Sequence, residues 1–491
     1  MKKNVLLLML VASSMIWAEN PLSLEQCRQK ALKHNKNIQM AEESVKAATE
    51  LKKAAFAQFL PNFSANATYT WNQKNISLLS EDAYLPVYSM NADGSINYVN
   101  SWNNSWTVYN GTAVPLDASG TPFDPTTNPE KILWKNYALL PKSAMEFDIQ
   151  NVFAGTIGFV QPIFMGGKIK ELYNTAKYGE NLAKDQKENK ITDLLLEVDE
   201  AYWRVISIQN KENLAKQYCN LLTKVDENIA VMIEEGVATK ADALKVKVKL
   251  NEAEVSKTKA QNGLSLSMMA LNQLCGMPLD TIYTLADTEL NQEPEQPKLI
   301  PIEEALQNRP EIKALTQMVN IAESNQKIMF SRFLPTIGLT GNYLVSNPNV
   351  YNGYANEFGG MFTFGVVANV PLFHFGDRFH TYNAAKAEKN IANLKLDESK
   401  EKIQLQIKQN SYKVAESIKK FTATKKNLEE AEENLRTATE GFNEGVITST
   451  DLLGAQTAWL SAMSENIDAN IDVHLCNLYL KQSLGTLTYS N

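Results

Sequence analysis

The sequence predicts a mixed α and β chain in which membrane β-barrel strands, four per chain, continue into a long antiparallel coiled-coil α-barrel, the plan being written as two tandem structural repeats. Three observations predict it. Residues 162–276 and 371–485 match at a constant offset of 209, as in Pro162, Phe164, Gly167, Gly236, Val237 and Thr239 against Pro371, Phe373, Gly376, Gly445, Val446 and Thr448. Apolar residues recur at steps of three, four or seven over about 67 residues in each copy. Strict two-residue alternation stands at matching places in both copies.

The whole chain has 491 residues, a net charge of −7 and a pI near 5.5. It carries no basic run that would suggest a nucleic-acid partner. Residues 1–18 read as a signal peptide, with Lys2 and Lys3 before the apolar run Val5 to Val11 and a cleavage site after Ala18. Beyond them no stretch reaches the roughly 20 apolar residues of a membrane helix, so a membrane crossing falls to β-strands. Cys27, Cys219, Cys275 and Cys476 are too few and too scattered for a disulfide framework. The four histidines, His34, His374, His380 and His474, show no metal-ligand spacing, and the chain has neither a phosphate-cradling glycine loop nor a nucleophile elbow. The expectation is therefore a protein that is no enzyme, with no catalytic residue, no metal site and no cofactor.

The first repeat, 19–290, starts with a helix over 36–59 that Pro61 terminates, because proline disfavours helix in the residue before it. A strand follows at 62–72, where Phe63, Ala65, Ala67, Tyr69 and Trp71 face away from Ser64, Asn66, Thr68 and Thr70. A second strand is expected at 153–162. An apolar face backed by a small polar face is the pattern of a strand with lipid outside and water inside. Between the two strands lies a long outer loop, 73–150, rich in aromatics: Trp102, Trp106, Trp134, Tyr84, Tyr88, Tyr98 and Tyr109. The loop is about 65 residues longer than its counterpart in the second copy. These aromatics serve either to pack the loop on itself or as a carbohydrate, phage or partner site, with Trp71 and Trp134 also suited to an interfacial girdle.

A helix over 168–234 follows, a rod of roughly 100 Å at about 1.5 Å per residue, and a shorter returning helix covers 241–276. Residues 291–300, acidic and proline-containing, read as a linker. The second repeat, 301–487, has the same order: a helix at 310–333, strands at 336–345 and 361–370, and helices at 377–443 and 450–485.

Each rod turns back through a matching tip. Gly236 and Gly445 permit a tight turn, Val237 and Val446 offer a small apolar contact, and Thr239 with Asp242 and Thr448 with Asp451 have capping-box spacing. The sequence Gly-Val-x-Thr makes a good turn and is equally suited to a docking tip. Four strands cannot close a barrel, and an open edge in hydrocarbon leaves backbone groups unsatisfied, so chains must associate. Two copies would give eight strands and three would give twelve.

The chain resembles the TolC family of outer-membrane efflux proteins from about Leu22 to Leu487. The resemblance rests on Asn35-Lys36-Asn37-Ile38 and Arg309-Pro310-Glu311-Ile312, on Phe59-Leu60-Pro61 and Phe333-Leu334-Pro335, on Pro162-Ile163-Phe164 and Pro371-Leu372-Phe373, and on the two Gly-Val-x-Thr-x-x-Asp tips. Their duplicated order carries it. The resemblance implies a homotrimer with a twelve-stranded barrel in outer-membrane lipid and a twelve-helix tunnel reaching through the periplasm. It also implies passive export, as the channel of a tripartite efflux or type I secretion system. The partners would be a periplasmic adaptor (membrane fusion) protein, received at the tips formed by Gly236, Val237, Thr239, Gly445, Val446 and Thr448, and an inner-membrane transporter of RND or ABC type. Asp451 matches an acidic gate position of the family, and with Asp242 it would set six carboxylates at one constriction. Gly454 stands where a second acid is found, and Phe442 and Ile447 where tyrosine and arginine often lock the gate. The alternative is an outer-membrane-anchored coiled-coil stalk or adhesin without a pore.

Overall fold

Leu194, Val198, Tyr202, Val205 and Ile206 lie completely or almost completely buried along one helix, the outcome expected when apolar residues recur every three or four positions. The computed structural model describes residues 21–97, 101–288 and 300–489. The expected signal peptide, Tyr98 and all but the last residue of the expected linker lie outside the described residues. The chain divides into two units, one of helices and one of strands.

The helical unit contains α1 (Leu24–His34), α2 (Lys36–Ala57), α3 (Lys168–Glu234), α4 (Lys240–Cys275), α5 (Ile302–Asn308), α6 (Pro310–Ser331), α7 (Asp377–Asn443) and α8 (Ser449–Ser483). Both α3 and α7 run for 67 residues. Each follows a left-handed glycine, Gly167 at φ 85° and Gly376 at φ 87°, a conformation that costs glycine nothing. Helix α1 opens with a capping box between Ser23 and Gln26 and stops at Asn35, whose extended backbone breaks it from α2. Pro310 begins α6 at the first helical position, where its missing N–H is not needed. Helix α3 packs against α2, α4, α6 and α8, while α7 packs against α6 and α8.

Among the described residues four apolar clusters hold these helices together, the smallest being Leu195, Leu478 and Leu487. The first joins Ala31, Leu194, Val198, Val205, Leu271 and Cys275, and another joins Ala305, Ile403, Ile407, Val414, Leu480 and Leu484. These two sets correspond residue for residue at the sequence offsets of 274 and 209. The third lies where the two hairpins of long helices turn, and contains Leu222, Ile229, Val246, Phe442 and Leu452. Arg28 crosses to the buried Asp199 with an Nε to Oδ1 bond of 2.7 Å. Burial raises the Asp199 carboxyl above the usual range even though the guanidinium opposes that shift.

The strand unit is built on an antiparallel sheet of β1 (Asn62–Trp71), β8 (Asn151–Met165), β9 (Thr336–Asn347) and β10 (Gly359–Asn369), in the spatial order β1-β8-β9-β10. Its register aligns Phe63, Phe159, Gly341 and Phe364 in one row and Ala65, Ile157, Tyr343 and Phe362 in another. Phe159 lies across Gly341, where a Cβ would come within 2.4 Å of its ring. The opposite face carries the row Ser64, Gly158, Asn342 and Thr363. The aromatic face is open: Phe63, Phe362 and Phe364 are all more than 60% exposed.

The segment from 73 to 150 forms nested short pairs. Ile76–Ser77 (β2) pairs with Glu146–Phe147 (β7), Ala83–Pro86 (β3) with Tyr137–Leu140 (β6), and Trp106–Tyr109 (β4) with Thr112–Pro115 (β5). Trp102 is buried, stacks on Trp106 at 5.9 Å and meets Trp134 edge-on at 6.1 Å, while Tyr88 packs on Trp134 at 4.9 Å. The Asn104 side chain pins the surrounding backbone, donating to the carbonyls of Leu116 and Lys131 and accepting from the Leu133 N–H. Trp134, half-buried, thus packs within the aromatic cluster of the loop.

Candidate gate and docking site

The two turns of the helical unit are made alike. At the end of α3 the Gly236 N–H reaches the Ile233 carbonyl and the Val237 N–H the Met232 carbonyl; at the end of α7 Gly445 reaches Phe442 and Val446 reaches Gly441. This is the Schellman closure, which needs a left-handed residue next to the helix end. Gly236 at φ 80° and Gly445 at φ 73° supply it. The closure leaves Val237 69% and Val446 81% exposed.

The returning helices begin at Thr239 and Thr448. The Thr239 hydroxyl accepts from the Asp242 N–H at 3.3 Å, and Oδ2 of Asp242 accepts from both the Thr239 N–H and its hydroxyl. A full capping box results. At the second turn Thr448 accepts from the Asp451 N–H at 3.2 Å and donates to Oδ2 of Asp451 at 2.7 Å, without the reciprocal backbone bond of a complete box.

The hairpins meet through Asp242. Its second carboxylate oxygen, Oδ1, accepts from the Ser449 hydroxyl at 2.8 Å, and Lys245 Nζ lies 3.5 Å from that oxygen and 3.3 Å from the Thr450 hydroxyl. The hydroxyls of Thr239 and Ser449, aided by the Thr239 N–H, hold the Asp242 carboxyl down to about 2. Ser449, Thr450 and Lys245 escape the sequence reading because the residue matching Ser449 in the first copy is Lys240. Asp451 keeps to its own turn. Beside these polar contacts an open groove is lined by Leu244, Val248, Leu453, Gly454 and Ala458.

Among the described residues no group of His, Cys, Asp and Glu side chains is placed to hold a metal ion, and no helix is long and apolar enough to cross a membrane.

The profile of the family described as outer membrane efflux protein matches residues 140–277 and 302–486. The alkaline protease secretion protein AprF of Pseudomonas aeruginosa is 24% identical over 333 residues, 65% of this chain and 67% of that relative. The outer membrane protein TolC of Vibrio cholerae is 24% identical over 301 residues, 60% of this chain and 68% of its own. The crystal structure of CusC, described with transmembrane channel formation, superposes with a TM-score of 0.70 at 13% identity, over 94% of this chain and 91% of that one. The mixed fold of long helices and an antiparallel sheet is thus that of known outer-membrane channels, and the place of this protein is the outer membrane. The chain belongs to the outer membrane efflux protein family.

Proposed function

We propose that three copies of this chain assemble into a continuous duct, a twelve-stranded barrel in the outer membrane followed by a twelve-helix tunnel through the periplasm. The duct passively conducts cargo delivered by an inner-membrane transporter of RND or ABC type through a periplasmic adaptor. The observation that carries this reading is the four-stranded sheet. Among the described residues its outer strands β1 and β10 each present an unpaired edge, and one of its faces is a row of exposed aromatics. In hydrocarbon such edges require partner strands, and copies of the same chain supply them without any new sequence. The residue-for-residue match of two helical clusters supports the further reading that 19–290 and 301–487 are two structural repeats, so that three copies place six similar hairpins around one axis.

In this assembly the tips Gly236, Val237, Thr239, Gly445, Val446 and Thr448 receive the adaptor, the exposed valines giving apolar contact. Asp242 and Asp451 form the periplasmic gate. A ring of carboxylates at a constriction favours cations and attracts divalent ions. With Gly454 in place of a second acid, the ring is sparser than in the family pattern, and its cation preference is correspondingly weaker. The chain itself performs no chemistry.

Reconstitution into liposomes or planar bilayers tests the reading. Discrete conductance steps are expected, with Asp451→Ala changing conductance or ion selectivity. A protein that inserts and conducts nothing is a stalk or adhesin, and conductance and ion selectivity both unchanged in Asp451→Ala remove that residue from the gate.

A further inference from the structure

Cys27 lies in the first turn of α1 and Cys275 is the last residue of α4, and both are completely buried. Both belong to the same apolar cluster, and the Cys275 thiol donates to the Cys27 carbonyl oxygen at 3.6 Å. The two helices are pressed together at this point. Gly276, at φ 68°, ends α4 where a Cβ would come within 2.4 Å of the Cβ of His34. The matching positions of the second repeat hold Pro301 and Leu484, so the repeated core does not itself demand sulfur here. Cys219 belongs to the cluster near the hairpin turns, and Cys476 packs against the cluster around Ile403 and Leu480. Neither competes for the pair.

A protein of the outer membrane passes through an oxidising compartment, where disulfides form and persist. We infer that Cys27 and Cys275 close a disulfide in the mature protein, stapling α1 to the end of α4 across 248 positions of sequence. The oxidant is a thiol–disulfide oxidoreductase in its disulfide form. One cysteine thiolate attacks that disulfide to give a mixed disulfide, and the second displaces the oxidoreductase. One S–S bond forms in the chain and one is lost from the oxidant, which leaves as a dithiol carrying the two protons and two electrons. Because both sulfurs are sealed in the folded protein, the exchange takes place before α1 docks. The finished bond is then shielded from reductants. A cross-link closing so long a loop restricts the unfolded chain strongly.

Protein isolated from outer membranes is acid-quenched, denatured and treated with N-ethylmaleimide before and after a reductant. The expected result is alkylation of Cys219 and Cys476 alone before reduction, of all four cysteines afterwards, and a linked Cys27–Cys275 peptide by mass spectrometry. Four alkylated cysteines without reductant, or a link involving Cys219 or Cys476, overturn the inference. Reductant present during thermal unfolding is further expected to lower the melting temperature of the wild type and to leave Cys27→Ser/Cys275→Ser unmoved. An equal response of the two proteins also overturns it. Should the variant fail to fold, alkylation of the wild type still decides.

Discussion

The Ser449 hydroxyl donates a 2.8 Å hydrogen bond to Oδ1 of Asp242, tying the first turn of α8 to the first turn of α4. The other oxygen of that carboxylate is held by Thr239 within its own cap. One acid thus belongs to both hairpins, and neither hairpin can swing away without breaking the bond. Ser449→Ala removes the tie and keeps the cap, so single-channel recordings should show a larger or more frequent open state. Asp242→Ala removes both and should open the channel further. Identical recordings for wild type and Ser449→Ala would mean that the contact does not restrain the tips.

Asp242 titrates at about 2 in the folded chain, against an ordinary value of 3.8. A depressed carboxylate contributes stability that is present above its unfolded value and is lost as pH falls toward the folded one. The tie should therefore be constant between about pH 5 and 8 and weaken only below about pH 4. Conductance measured across that range checks it. A transition near neutrality that disappears in Asp242→Asn would contradict this assignment.

The two turns should differ in their dependence on the cap. Thr239→Ala breaks a complete capping box, whereas Thr448→Ala breaks a single backbone bond. A loss of about 1 kcal/mol is expected for the first, and less for the second. Hydrogen exchange in the first turns of α4 and α8 reads the difference, and equal protection losses would count against it.

Replacing Arg28 by Met leaves the Asp199 carboxylate buried without its partner. Breaking such a pair costs about 3–5 kcal/mol. Denaturant unfolding of the detergent-solubilised protein measures it, with Asp199→Asn added to Arg28→Met expected to restore part of the loss. A fully stable Arg28→Met would show that water reaches Asp199.

On β10 the neighbours Thr363 and Phe364 face opposite ways. An arginine on the lipid side near mid-membrane costs about 2–4 kcal/mol. Phe364→Arg should therefore reduce the yield of protein in the outer membrane, while Thr363→Arg should be tolerated there and alter conductance. The reverse pattern would invert the assignment of the two faces.

The long helices are legible in the sequence because nothing between Gly167 and Gly236 interrupts the three-and-four spacing. The sheet is legible because Phe362, Phe364 and Val366 alternate with smaller or polar neighbours. What the sequence hides are contacts between elements that local period does not relate. The Ser449–Asp242 bond depends on two hairpins lying side by side, and the duplicated pattern conceals it by placing Lys240 at the equivalent position. The meeting of Cys27 with Cys275 depends on where α1 docks, which no spacing announces. In the loop from 73 to 150 the paired strands are two to four residues long, too short for alternation to stand out.

The unpaired outer edges of β1 and β10 also bear on inheritance. In the proposed three-copy duct, a copy damaged at either edge would spoil the seams with its sound neighbours as well as itself, so a cell expressing a mixture should lose more export than the damaged fraction alone would predict. Edge lesions should behave as dominant alleles, whereas lesions that keep the chain from reaching the membrane at all should be recessive.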